Sequence, residues 1–301
     1  MRVRWPSPWR SRGRPAVAGS LASSPAATSI CPNWQRSWAS AELAELTGRV
    51  ALITGGGRGI GRAIAVSLAH AGADVAVSGR NADVLDETAG AIRAIGRRAA
   101  AIVCDVAEHS QVDAMLIRVK KDLGDPLILV NNAGIAGSAK LSETTDDMWE
   151  AMLRVNATGA FFCMRAVVPI MLEAKWGRVV NIASIAARAG AAYIAAYSAS
   201  KHALLGLTRA VATEVAAKGV TVNAVCPGYV DTEMSDRSAA FISVRTGRNE
   251  NDARKILEGF SPQKRLMTAE EVAGLATYLC SEAARGINGQ GIVLDGGALQ
   301  G

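Results

Sequence analysis

Histidine is scarce in this chain, three in 301 residues, and the five cysteines stand far apart. His70, His109 and His202 are isolated, and Cys31, Cys104, Cys163, Cys226 and Cys280 form no Cys-x-x-Cys. That pattern excludes a metal site defined by ligand spacing and a disulfide framework. It suits free thiols in a reducing, cytoplasmic setting. No run of 18 apolar residues occurs, so the pattern suggests no membrane span. Acidic residues are missing from residues 1–41, which carry six arginines, four of the six tryptophans and five of the nine prolines. The formal net charge of +6 therefore sits in that segment, leaving 27 basic and 27 acidic residues beyond it. The neutral remainder gives no argument for nucleic-acid binding.

The segment up to residue 46 shows no sustained helical or strand period, and its Pro, Ser and Arg content reads as a disordered extension. Two explanations stay open: an organelle transit peptide, which is Arg- and Ser-rich and acid-poor, or a translation start set too far upstream. The second is preferred, because prolines interrupt the amphipathic helix that a transit peptide needs.

Half of the residues are hydrophobic, ample for a large core. Apolar runs near 50–54, 74–78, 99–104, 127–131, 178–183, 220–225 and 290–294 read as buried strands. Helical stretches fall near 59–71, 82–95, 108–122, 145–174, 197–217, 251–258 and 268–281. Strand and helix in alternation predict one doubly wound α/β domain of the Rossmann type over 47–301. Its seven parallel strands carry helices on both faces. Ligands of such sheets bind at the carboxyl ends of the strands.

The first strand, Val50-Ala51-Leu52-Ile53-Thr54, runs into Gly55-Gly56-Gly57-Arg58-Gly59-Ile60-Gly61 and then a helix. Glycines let a ligand approach the backbone, and the helix N-terminus offers free N–H groups and positive dipole, so this turn suits a pyrophosphate. Far downstream stands Tyr197-Ser198-Ala199-Ser200-Lys201. Four residues apart on a helix, the phenol and the ammonium share one face. A lysine cation beside a phenol favours the phenolate, so the pair can move a proton to or from an oxygen near neutral pH. Taken alone, either feature has an ordinary structural reading.

Together with Asn131-Asn132-Ala133-Gly134 and Ser184, these motifs resemble the short-chain dehydrogenase/reductase family in order and separation, over roughly residues 47–300. The resemblance implies a catalytic set of Asn156, Ser184, Tyr197 and Lys201. Ser184 would bond the substrate oxygen, Tyr197 exchange the proton, and Lys201 lower the Tyr197 pKa and bind ribose hydroxyls. Asn156 would hold a water linking Lys201 to solvent.

It also implies cofactor contacts at Thr54, Gly55, Arg58, Gly59, Ile60 and Gly61, at Asp105 and Val106 beside the adenine, and at Asn132, Ala133 and Gly134. Tyr197, Lys201, Pro227, Gly228 and Thr232 complete the expected contact set. After the second strand the chain reads Gly79-Arg80, where NAD users of such folds carry a carboxylate for the ribose 2′-hydroxyl. Glycine leaves room, and Arg80 with Arg58 suits a 2′-phosphate, so NADP is expected in preference to NAD.

Residues 232–265 fall where the family carries a substrate lid and hold Arg237, Arg245, Arg248, Arg254, Lys255, Lys264 and Arg265. Those cations suit the phosphates of a coenzyme A or carrier-protein thioester, or else a solvated face balanced by Glu250, Asp252 and Glu258. Similarity to 3-oxoacyl-thioester reductases, polyketide ketoreductases and 3-hydroxybutyrate dehydrogenases implies reduction of a 3-oxoacyl thioester. The alternative is oxidation of a 3-hydroxy acid or another secondary alcohol. The resemblance further implies a homotetramer, with neither nucleic acid nor membrane as partner.

Overall fold

The computed structural model describes residues 45–299, so the expectations for residues 1–44 lie outside the described residues. Seven parallel strands form one sheet in the order β3-β2-β1-β4-β5-β6-β7. They are β1 Val50–Thr54, β2 Asp74–Gly79, β3 Ala99–Val103, β4 Pro126–Asn131, β5 Gly177–Ile182, β6 Val220–Pro227 and β7 Gly291–Leu294. The order runs outward from β1 to β3, then returns past β1 to β4. That reversal opens a crevice between the carboxyl ends of β1 and β4.

Successive strand residues point to opposite faces, and the two cores follow from it. On one face Leu52, Ala76, Leu129, Val179 and Val222 pack with α3 (His109–Asp122), α5 (Gly159–Glu173) and α6 (Ala195–Val215). On the other, Ile53, Val75, Val77, Ile128 and Val180 pack with α1 (Gly59–His70), α2 (Ala82–Ala94) and α9 (Ala269–Cys280). With both faces covered, the strands are mostly apolar, which is why near-continuous runs located them. Leu46, assigned to the extension by sequence, is 2% exposed and its N–H donates to the Ala71 carbonyl at 2.7 Å. The packed chain therefore includes Leu46.

The expected helix over 145–174 is divided. It consists of α4 (Asp146–Leu153), a π-helical turn Arg154–Thr158, and α5. A π turn places one extra residue in the helix, a feature common at functional sites, and here it carries Asn156. By length and composition Asp146–Glu173, with mean hydropathy 1.5, would cross a bilayer. Its residues Cys163, Met164, Val167 and Met171 instead lie in the core beneath the sheet.

Between β6 and α9 come α7 (Glu233–Thr246) and α8 (Glu250–Gly259). The second was expected and the first was not. Only Ser235 and Ala239 of α7 are buried, so it lacks the apolar stripe by which surface helices are recognised. Its end signals are Glu233 and Asp236 in the first turn, Arg245 in the last, and Gly247 in the left-handed region at φ 68°.

Candidate active site

Thr54 ends β1 and organises the crevice. Its hydroxyl accepts from the N–H groups of Asn132 and Ala133, both at 3.1 Å, and lies 3.4 Å from the Val130 carbonyl. In return the Asn132 amide donates to the carbonyls of Thr54 and Gly55, both at 3.0 Å. The glycine turn after β1 is thereby tied to the loop after β4. Asn132, expected to touch a cofactor, also clamps the two loops together.

The turn itself fits a dinucleotide. Gly55 and Gly59 have φ of 63° and 51°, in the left-handed region that favours glycine. α1 begins after Arg58 with no side-chain cap and no acid in its first turn, so its N–H groups remain available to an anion. By contrast Asn81, Thr145, Asn249 and Thr268 cap α2, α4, α8 and α9 with their side chains. Ile60 is half-buried in that opening turn.

The other expected contacts ring the same crevice. Asp105, just beyond β3, folds its carboxylate back to accept from the Ala107 N–H at 3.0 Å, and Val106 is buried against Gly159. Pro227 ends β6, and the Gly228 N–H donates to the Leu294 carbonyl at 2.9 Å. A Cβ on Gly228 would come within 3.0 Å of Asp295. Thr232 lies with its methyl 3.3 Å from where a Cβ of Gly59 would stand. Arg80 is exposed and makes no ion pair among the described residues. Arg58 does: its Nη1 lies 2.8 Å from Glu233 Oε2 at the start of α7.

Tyr197 and Lys201 sit on one face of α6, with Lys201 Nζ 5.8 Å from the Tyr197 ring centroid. The phenol is near enough to Ser184, two residues beyond β5, for that hydroxyl to draw its pKa down. Ser184 Oγ also accepts from the Ala186 N–H at 3.1 Å, so its capping role and its contact with Tyr197 coexist. Lys201 is 5% exposed and donates to the Ile182 carbonyl at 2.9 Å. Gly134 brings the β4 loop against it: a Cβ there would stand 3.2 Å from Asn156 Oδ1 and 3.5 Å from Lys201 Nζ.

Burial dominates the electrostatics of the pair. Burial pushes the Tyr197 phenol above its ordinary value, and the Ser184 hydroxyl pulls it back. Burial also pushes Lys201 down to about 8, with Cys226 acting slightly the other way. The net shift of the phenol in the free protein is therefore upward despite the nearby ammonium, which donates to the Ile182 carbonyl.

Asn156 is fully engaged by protein. It accepts from the Ile135 N–H at 2.8 Å and donates to the Ile135 carbonyl at 2.9 Å and to Ser200 Oγ at 2.9 Å. Ser200 in turn donates to the Tyr197 carbonyl at 2.7 Å. Sequence reasoning passed over Ser200, although it stands beside Lys201 in the same motif. It also missed the buried chain in which Asn131 donates to Asn181 at 2.8 Å and Asn181 to Thr208 at 2.9 Å, joining β4, β5 and α6.

The model of the family described as short chain dehydrogenase matches residues 49–242. The chain belongs to the short-chain dehydrogenase family. It is an NAD(P)-dependent oxidoreductase acting on CH–OH groups. Among its relatives, an uncharacterized oxidoreductase of Bacillus subtilis, YxjF, is 40% identical over 83% of this chain and 97% of its own. The 3-oxoacyl-[acyl-carrier-protein] reductase FabG of Pseudomonas aeruginosa is 38% identical over 84% of this chain and 98% of its own. A crystal structure of an actinorhodin polyketide ketoreductase variant with NADPH superposes with a TM-score of 0.81 at 35% identity, covering 83% of this chain and 97% of that one.

Most cations of residues 232–265 have a carboxylate or carbonyl partner. Arg254 meets Asp231, Asp236 and Glu258, Arg265 meets Glu271, and Lys255 meets Asp252 at 3.9 Å. Arg245 reaches Glu143 at 3.7 Å, and Lys264 donates to the Gly259 carbonyl. Arg237 and Arg248 make no ion pair among the described residues. Histidines 70, 109 and 202 gather no metal cluster among the described residues, and Cys104, Cys163, Cys226 and Cys280 are free and buried.

Proposed function

We propose that this protein is an NADPH-dependent reductase of ketones, with a 3-oxoacyl thioester as substrate. The observation that carries the reading is the meeting of Tyr197 and buried Lys201 on one helix face, with Lys201 Nζ 5.8 Å from the phenol ring and Ser184 beside them, at the carboxyl ends of the strands. NADPH would lie along the glycine turn and supply the hydride. Ser184 and Tyr197 would donate hydrogen bonds to one carbonyl oxygen, polarising it as charge develops there. The Tyr197 phenol, held protonated by burial, would give up its proton to that oxygen. Lys201 then stabilises the resulting phenolate. Asn156 and Ser200 hold Ile135 and the Tyr197 backbone in register, which fixes the distance between the β4 loop and the phenol.

The thioester assignment draws on the FabG and polyketide ketoreductase relatives. The internally paired cations of 232–265 contribute less to it than their number in the sequence suggested. In this reading α7 and α8 form the lid over the substrate. Exposed Trp149 and Phe161, on α4 and α5, support assembly into a homotetramer. The buried free thiols support a reducing, cytoplasmic setting.

Initial rates with NADPH or NADH and acetoacetyl-CoA test this directly. NADPH-linked turnover is expected. Turnover with NADH alone would overturn the cofactor assignment, and silence with both would overturn the substrate.

Cofactor choice has its own test. A Cβ at Gly79 would touch Leu85 at 3.6 Å, an ordinary contact, so a carboxylate can be placed there without repacking. Gly79→Asp is expected to lower kcat/KM for NADPH by about 10–100-fold through repulsion of a 2′-phosphate. The same change should spare or improve NADH. Equal effects on both cofactors would show that this position does not face the 2′ group.

A further inference from the structure

The Arg58–Glu233 pair joins two parts of the proposed machinery that are 175 residues apart. Arg58 immediately precedes α1, whose N-terminus is open to phosphate, and Glu233 is the first residue of α7. The next residue back, Thr232, rests on Gly59. The start of the lid therefore stands on the glycine turn, held there by a carboxylate on the turn's own arginine. Elsewhere α7 is held away from the glycine turn: Ser235 donates to the Val230 carbonyl at 2.6 Å, Asp236 meets Arg254 at 3.0 Å, and the far end reaches Glu143 through Arg245 at 3.7 Å.

We propose that Glu233 is a competitor built into the dinucleotide site: its carboxylate holds Arg58 in the free protein, and a dinucleotide phosphate displaces it. That exchange releases the first turn of α7 from the glycine turn. The proposal rests on the dinucleotide-dependent function given above. Both side chains are about 60% exposed, so a ligand phosphate can reach the pair without unfolding anything. An exposed pair of this kind is weak. The pyrophosphate as a whole, or a 2′-phosphate, brings about two negative charges and more acceptor oxygens than one carboxylate, and it has α1's free N–H groups beside it. Once displaced, Glu233 remains favourably placed in the first turn of α7, where the helix dipole offsets its lost partner. The exchange therefore favours the ligand, and Glu233 sets how strongly.

Titrations of the full chain with NADP+ and with NAD+, followed by isothermal calorimetry, test this in wild type, Glu233→Gln, Arg58→Gln and the double variant. Glu233→Gln is expected to tighten NADP+ by about 2–5-fold, the scale of one exposed pair. The tightening should vanish in the Arg58→Gln background, as a coupled pair requires. If NAD+ tightens equally, the pyrophosphate is the displacing group; if NAD+ is unmoved, it is the 2′-phosphate. Tryptic cleavage at Arg237 should quicken in wild type on adding NADP+, and in Glu233→Gln without it. Unchanged NADP+ affinity in Glu233→Gln, or tightening that persists without Arg58, overturns the competitor while leaving the dinucleotide reading intact. A wild-type protein that binds neither dinucleotide overturns both.

Discussion

Tyr197→Phe is expected to lower kcat for ketone reduction by about 10²–10⁴-fold, the span that one general acid supplies. Dinucleotide affinity should change little. The substitution removes one oxygen from a ring already packed on α6, with its contact to Lys201 5.8 Å from the ring centroid. What is lost is the proton and the interaction with Ser184. The pH dependence follows from the directions of the two shifts. Burial raises the phenol, so it stays protonated through neutrality, the state that reduction requires. Reduction should therefore hold level on the acid side, whereas oxidation, which needs the phenolate, should rise with pH. Lys201, pushed down to about 8, loses its charge within the working range. As the ammonium is lost, kcat/KM for reduction should fall above about that pH, because the phenolate left by proton transfer loses its stabilising cation. Lys201→Met should abolish that limb and lower the plateau. Stopped-flow rates over pH 6–10 in wild type and both variants check each point. A Tyr197→Phe enzyme within tenfold of wild-type kcat would sink the assignment of the acid.

The sheet, both of its faces and the composition of the crevice were legible in the sequence because each rests on a local signal. β1 and β4 are unbroken apolar runs, the glycine turn is a backbone requirement written as residue type, and the four-residue spacing from Tyr197 to Lys201 is a helix repeat. What escaped detection depends on partners distant in the chain. The π turn around Asn156 leaves no mark in residue type, since a run of helix formers reads the same with or without one extra residue. α7 was missed because a helix lying on the surface needs no apolar stripe. The direction of the Tyr197 shift likewise depends on tertiary surroundings. Spacing places an ammonium beside the phenol, but desolvation of both groups and the bond from Lys201 to the Ile182 carbonyl are tertiary facts. Likewise the carboxylates that meet the cations of residues 232–265, from Asp231 to Glu271, are brought beside them by the fold.

Gly61→Ala should be the most damaging of the single-methyl changes available in the glycine turn. Gly61 has ordinary helical geometry, so the constraint comes from space. A Cβ there would stand 2.2 Å from the Gly55 carbonyl oxygen and 2.4 Å from Asn132 Nδ2. Neither atom can yield cheaply. The first is backbone, and the second is the amide that ties Thr54 and Gly55 to the β4 loop. Relief requires α1 to move off the turn, which separates the N–H groups of its first turn from the glycines that shape the approach of a phosphate. Overpacking of this kind costs about 1–3 kcal/mol of stability. A loss of that size in binding alone corresponds to roughly 5–150-fold in Kd, and losing the clamp places the expected effect toward the upper end. Gly90→Ala is the control: Gly90 lies exposed in α2 with nothing within 4 Å of an added Cβ. It should gain about 0.4–1 kcal/mol, because alanine narrows the unfolded ensemble and favours the helix. Calorimetric Tm and NADP+ titration of the two variants separate the effects. If Gly61→Ala melts like wild type and binds NADP+ equally well, α1 and the turn can part without consequence, and the dinucleotide must lie elsewhere. A variant that melts lower yet binds equally well would assign the close contact to folding alone. Weaker binding with only a small fall in Tm is the expected result, since the clamp formed by Thr54 and Asn132 shapes the mouth of the crevice while the core beneath it stays packed.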